Sequence, residues 1–129
     1  MAHILLVEDH PDVREAVHDV LVQSGHSVQE AFDGEDAWPF IQNGCYDLMI
    51  TDIMMPNKNG FDLINDVRKH HPELKIIAIS GGGNYLNSKV TVSLAQMNSD
   101  LSISKPFTPN QILTAVEGLL SENTVQEAV

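Results

Sequence analysis

Three acidic residues and one lysine stand where apolar runs end. Asp52 follows the run Leu48, Met49, Ile50, Thr51; the pair Glu8 and Asp9 follows Ile4, Leu5, Leu6, Val7; and Lys105 with Pro106 comes just after Leu101, Ser102, Ile103. If these runs are parallel strands, their carboxyl ends share one edge, and three carboxylates meet one ammonium there. Oxygen ligands in that number suit a hard divalent cation, and a carboxylate can attack phosphorus as a nucleophile. The combination points to a divalent-metal and phosphoryl site. Each piece has an ordinary competitor. Acids after a strand often cap the next helix, Asp52 ahead of Pro56 can be a turn residue, and a lysine before a proline can be solvated. Ser80 closes the run Ile76, Ile77, Ala78, Ile79 and adds one hydroxyl donor beside Gly81. Taken alone, it would only be a serine opening a glycine loop.

The elements that must position these groups alternate regularly. Short apolar runs occupy residues 4–7, 28–31, 48–51, 76–80 and 101–104, and most are continuously apolar, as strands covered on both faces are. Between them lie helical stripes: Val13, Val17, Val20, Leu21; then Phe61, Ile64, Val67; then Leu86, Val90, Leu94, Met97; and finally Ile112, Val116, Leu119, Leu120. Residues 35–43 make a poorer helix, because Pro39 removes a backbone donor from its interior. Gly25, Gly44, Pro72, residues 81–83 (all glycine) and Pro106 punctuate the joins. The pattern is (βα)5, an α/β fold with a doubly wound five-stranded parallel sheet and right-handed crossovers. In such sheets ligands bind beyond the carboxyl ends of the strands, where the strand order reverses. For the order 2-1-3-4-5 that place lies between the strands carrying Glu8-Asp9 and Asp52.

Composition narrows the class. A chain of 129 residues is long enough for one well-buried core. Its formal net charge of −11 at pH 7 argues against non-specific binding to nucleic acid or an anionic membrane, which need basic patches. One cysteine, Cys45, permits no intramolecular disulfide, and neither a signal segment nor a membrane-spanning run is evident. A cytoplasmic setting is the simplest expectation. The adjacent His70 and His71 read as a helix end before Pro72 rather than as metal ligands.

Glu8-Asp9, Asp52 followed by Met55-Pro56 and Gly60, Ser80, and Lys105-Pro106-Phe107, in this order and at these strand ends, resemble the receiver domains of two-component response regulators, the CheY-like type within the flavodoxin-like folds. The resemblance spans residues 4–120, and this fold family is itself a standing example of the switch-point rule. It implies a phosphorylation-dependent switch, not an enzyme beyond its own phosphorylation and dephosphorylation. Asp52 would be the phosphoacceptor. Mg2+ would be held by Asp9, Asp52 and the backbone carbonyl of Met54, with Glu8 acting through a water. Lys105, before a proline that the family holds in cis, would pair with Asp52 and then with the phosphoryl oxygens, and Ser80 would donate to them. The phosphoryl donor would be a histidine kinase or histidine phosphotransfer protein, and an output partner would bind the face made by the fourth predicted helix, the fifth strand and the last helix.

The chain also departs from the family. Ser102 replaces the aromatic residue that many receivers carry three positions before the lysine, and the last helix lacks Arg or Lys, so a monomer or weak dimer is expected. Residues 1–122 read as the receiver and residues 123–129 as a polar tail, with no nucleic-acid contact expected. A haloacid-dehalogenase-like phosphatase with an aspartyl nucleophile is the alternative, disfavoured because strand 1 ends Glu8-Asp9-His10 rather than Asp-x-Asp. A flavodoxin-type binding module is disfavoured as well, because the acids would repel a flavin phosphate.

Overall fold

The structure is a computed structural model and describes residues 1–53, 60–80 and 99–128. Five strands, β1 (His3–Val7), β2 (Ser27–Ala31), β3 (Leu48–Asp52), β4 (Lys75–Ser80) and β5 (Leu101–Ser104), form one sheet in the order β2-β1-β3-β4-β5. All four strand pairings are parallel. The helices described are α1 (Pro11–Gln23), α2 (Gly34–Asn43), α3 (Gly60–His70) and α4 (Pro109–Ala128). None of the described helices is long and apolar enough to cross a membrane. Met54, the glycines at 81–83 and the expected stripe Leu86, Val90, Leu94, Met97 lie outside the described residues.

The pleat divides the core. Leu5, Val7, Met49, Ile76 and Ala78 face Ala37 and Ile41 of α2 and Leu63, Ile64 and Val67 of α3. Their neighbours Ile4, Leu6, Leu48, Ile50, Ile77 and Ile79 face Val17 and Leu21 of α1 and Ile112, Val116 and Leu119 of α4. Since successive side chains point to opposite faces, a continuously apolar run is what a sheet clothed on both sides requires. The central strands meet this over Ile4 to Val7, Leu48 to Ile50 and Ile76 to Ile79. The edge strands do not: β2 exposes Ser27 and only half-buries Val28, Gln29 and Glu30, and Leu101 of β5 is exposed.

Local chemistry explains the ends of the helices. Pro11 follows the N-cap His10 of α1, where a missing N–H costs nothing. That helix closes as a Schellman turn, Gly25 N to Val22 O and His26 N to Leu21 O, with Gly25 at φ 95° where a side chain would be strained. Helix α2 forms despite Pro39. Asp33 Oδ1 accepts from Asp36 N at 2.8 Å, Asp36 Oδ2 accepts from Phe32 N at 3.1 Å, and Ala37 and Ile41 are buried, which outweighs one lost hydrogen bond. Helix α4 starts with a capping box: Gln111 N donates to Thr108 Oγ1 and Thr108 N donates to Gln111 Oε1. It runs to Ala128, so residues expected as a polar tail from 123 continue the helix backbone. No Gly or Pro follows Gly118, and Gln126, Glu127 and Ala128 are good helix formers.

Candidate functional site

The sheet ladder continues one residue past the strands at their carboxyl edge. Glu8 N donates to Ala31 O at 3.0 Å, Ile53 N to Ile79 O at 2.9 Å, and Lys105 N to Ser80 O at 2.9 Å. These bonds hold the backbone on which the acids and the lysine sit. Arg14, one turn into α1, donates from Nη1 to Glu8 O at 2.8 Å and secures the bend after β1. The Lys105–Pro106 peptide is cis, as the family resemblance implies.

Asp52 and Glu8 are each only 1% exposed, and Lys105 reaches both. Its Nζ lies 2.7 Å from Asp52 Oδ2 and 3.1 Å from Glu8 Oε1. The first contact is a hydrogen bond; the second pairs by charge without hydrogen-bond alignment, leaving the buried Glu8 Oε1 with no hydrogen-bond partner. Burial, and then the adjacent Asp52 charge, push the Glu8 carboxyl above its usual 4.5. Burial alone would lower the Lys105 ammonium, but its hydrogen bond to Asp52 and the charges of Asp52 and Glu8 hold it above 10.5. Asp9 Oδ1 is a second buried oxygen with no hydrogen-bond partner. One potential donor atom each from Glu8, Asp9, His10 and Asp52 falls within 4.8 Å of the others. Buried polar atoms left without donors are costly. Glu8 Oε1 keeps its charge pair with Lys105, whereas Asp9 Oδ1, without a donor in an acidic cluster, fits a divalent cation that would satisfy it.

The structure thus brings together Glu8, Asp9, Asp52 and Lys105. Ser80 stands on the same edge, one residue beyond the partner of Asp52 in the β3–β4 register, but its hydroxyl donates to Ser104 Oγ at 3.2 Å. Met54 lies outside the described residues. Three participants went unread in the sequence: His10, whose ring turns onto the acids; Arg14; and Ser104. His10 adjoins Asp9 and could have been weighed as a nitrogen donor. The Ser80–Ser104 contact follows from a β4–β5 register that the sequence does not set.

Beside Lys105 an apolar groove of about 490 Å³ opens between Val13, Ala16 and Val17 of α1 and Pro106 and Phe107. A larger hollow of about 740 Å³ lies at the opposite end of the sheet, bordered by Ala2, His26, Tyr46 and Glu117. It contains none of the carboxylates of the cluster.

The model of the response regulator receiver domain family matches residues 4–117. Over 128 residues the chain is 31% identical to the DNA-binding transcriptional regulator NtrC of Azospirillum brasilense, covering 99% of this chain and 26% of that protein. It is 33% identical over 113 residues to the transcriptional regulatory protein DltR of Streptococcus agalactiae, covering 88% of this chain and 49% of that one. Among solved structures, NtrX from Brucella abortus superposes with a TM-score of 0.86 at 30% identity, over 98% of this chain and 28% of that chain. A CheY-like receiver domain protein from Methanospirillum hungatei superposes with a TM-score of 0.84 at 25% identity, over 98% of both chains.

The chain belongs to the response regulator receiver domain family, the phosphorylation-dependent switches of two-component signalling. Receiver domains generally bind Mg2+, with which the acidic cluster is compatible. The chain spans only about a quarter to a half of the length of these curated relatives. Both are named as transcriptional regulators, so the expectation of no nucleic-acid contact is confined to the residues in hand and does not extend to a longer protein.

Proposed function

We propose that Asp52 accepts a phosphoryl group from a histidine kinase or histidine phosphotransfer protein in the cytoplasm. A carboxylate oxygen of Asp52 attacks phosphorus, the bond from phosphorus to the donor's imidazole nitrogen breaks, and solvent supplies the proton that the leaving ring takes up. The observation that carries this reading is the Lys105 ammonium 2.7 Å from Asp52 Oδ2, inside a buried cluster of carboxylates. Asp9, Asp52 and the carbonyl of Met54 would hold Mg2+, with Glu8 acting through a water. Bound there, the ion would offset the mutual repulsion of the acids and the charge of the incoming phosphoryl group.

Lys105 releases Asp52 as an ammonium already aimed at the position the phosphoryl oxygens will take, and so needs little reorganisation. Ser80 would exchange its bond to Ser104 for one to phosphate. Phosphorylation adds about −1.5 to −2 charge and three acceptor oxygens, and Lys105 and Ser80 carry that change to β5. There a hollow of about 380 Å³ beside Ser102, Gln111 and Thr114 belongs to the face offered to an output partner. The same geometry supports self-phosphorylation from acetyl phosphate. With Mg2+ and acetyl phosphate, intact mass should show one base-labile phosphoryl addition that is lost in Asp52→Asn. Equal labelling of the Asn variant refutes the assignment.

A further inference from the structure

His10 takes no part in the reading above. It is the N-cap of α1, with φ −84° and ψ 115°, yet its side chain makes no capping hydrogen bond. An N-cap side chain ordinarily accepts from an N–H two or three residues on. This ring points elsewhere: Nδ1 lies 3.3 Å from Glu8 Oε2 and 3.3 Å from Asp9 Oδ1. His10 N donates to Glu8 Oε2 at 3.1 Å and His10 O accepts from Arg14 N at 2.9 Å, which hold the backbone, while the ring itself is within hydrogen-bond reach of Glu8 Oε2. Adjacent ligand atoms of an octahedral ion with bonds of about 2.1 Å stand about 3 Å apart. The ring nitrogen and the two acids are therefore close to the spacing of neighbouring ligands. Independently, Asp9 Oδ1, 3.3 Å from the ring, is a buried carboxylate oxygen that accepts no hydrogen bond.

We propose that His10 supplies an imidazole nitrogen to the cation held by Asp9 and Asp52, giving a mixed oxygen and nitrogen site that prefers a transition-metal ion such as Co2+ to Mg2+. The inference rests on the reading that the cluster holds a divalent cation. Mg2+ is hard, favours oxygen and gives up water reluctantly, so it gains little from an imidazole. Imidazole suits the later first-row divalent ions, and affinities rise along that series from Mn2+ through Co2+ to Ni2+. The His10 side chain is 64% exposed, so it reaches the cluster from the solvent side and leaves other positions open to water.

The test is calorimetric titration of Co2+ and Mg2+ into the full chain and its His10→Gln variant, an exposed substitution that leaves the core untouched. Co2+ affinity should fall about tenfold or more, the loss typical for removing a group that supports a metal site, while Mg2+ affinity stays within about twofold. In proton NMR the Co2+-loaded protein should show a strongly shifted imidazole N–H resonance from Nε2, absent in His10→Gln and displaced by excess Mg2+. That displacement separates His10 from the other histidines. If both proteins bind both ions with the same preference, His10 is not a ligand and the cation reading stands. If the parent protein takes up neither ion, the cation reading fails and this inference with it.

Discussion

Lys105→Met removes an ammonium shared by two buried carboxylates and keeps the apolar stem that packs beside it. Nζ stands 2.7 Å from Asp52 Oδ2 and 3.1 Å from Glu8 Oε1. At an effective dielectric of about 20, those separations correspond to gross attractions of about 6 and 5 kcal/mol. Desolvation of the three groups offsets most of that, so the gross figures are not the effect of the substitution. The effect is set by what remains: two carboxylates 1% exposed, with their cation gone. Breaking a buried pair from one side costs about 3–5 kcal/mol. The Lys105 side chain is 21% exposed, so water can enter the gap, and the low end of about 3 kcal/mol is expected in metal-free protein. Mg2+ should return part of it, because the variant's site no longer places an ammonium beside the dication. A tenfold gain in Mg2+ affinity narrows the gap by about 1.4 kcal/mol at saturating ion. Urea unfolding followed by circular dichroism, with chelator and with Mg2+, measures both effects, provided the slopes agree. A variant within about 0.5 kcal/mol of the parent in chelator, a difference too small for a broken buried pair, would refute the reasoning. So would a smaller Mg2+ stabilisation in the variant.

Glu8→Gln should stabilise the metal-free protein at neutral pH. The native carboxyl is held above 4.5, so native Glu8 loses stability as pH rises from 4.5 through its raised value; the advantage of Gln should vanish below pH 4.5, and a constant gap across an acid titration would count against it. At the alkaline end, Lys105 holds its proton above 10.5 in the native state, so its contribution is complete below pH 10.5 and fades above; that extra loss should be missing from Lys105→Met in a pH series of unfolding curves. Asp9→Ala should weaken Mg2+ binding more than Glu8→Ala, because the first removes a direct ligand and the second one acting through water, and calorimetry giving the reverse order would exchange the two roles. Arg68→Ala deletes bonds to Pro72 O, Leu74 O and Asp100 Oδ2 and should cost about 1–3 kcal/mol in thermal or urea unfolding, with a change below about 0.5 kcal/mol showing the network to be decorative.

Much of the scaffold was legible because its causes are local. A run such as Ile4 to Val7 is apolar at every position, which only a strand covered on both faces explains, and the stripe Val13, Val17, Val20, Leu21 repeats at the helical period. Gly25, read as a join, acts within a turn of where it stands. The poorer prospects of α2 were also read from a local rule, but the helix forms because buried Ala37 and Ile41 and the Asp33 cap outweigh Pro39. Residues 123–128, read as a polar tail, continue the last helix for a related reason: polarity does not end a helix when no breaker is present.

By itself, the sequence determined the alternation of strands and helices, the strand ends that carry Glu8, Asp9, Asp52 and Lys105, and through family resemblance their meeting place. Residue type and spacing suffice for that, since strand ends follow from periodicity and parallel strands end on a common edge. Only the tertiary structure decided which groups pair. It put Lys105 on Glu8 as well as Asp52, tied Ser80 to Ser104, turned the ring of His10 away from its helix and onto the acids, and joined His26 to Glu117 at 3.0 Å across 91 positions of chain. Those contacts depend on register, side-chain rotamer and burial. Each is fixed by the packing of segments far apart in sequence, on which local periodicity carries no information.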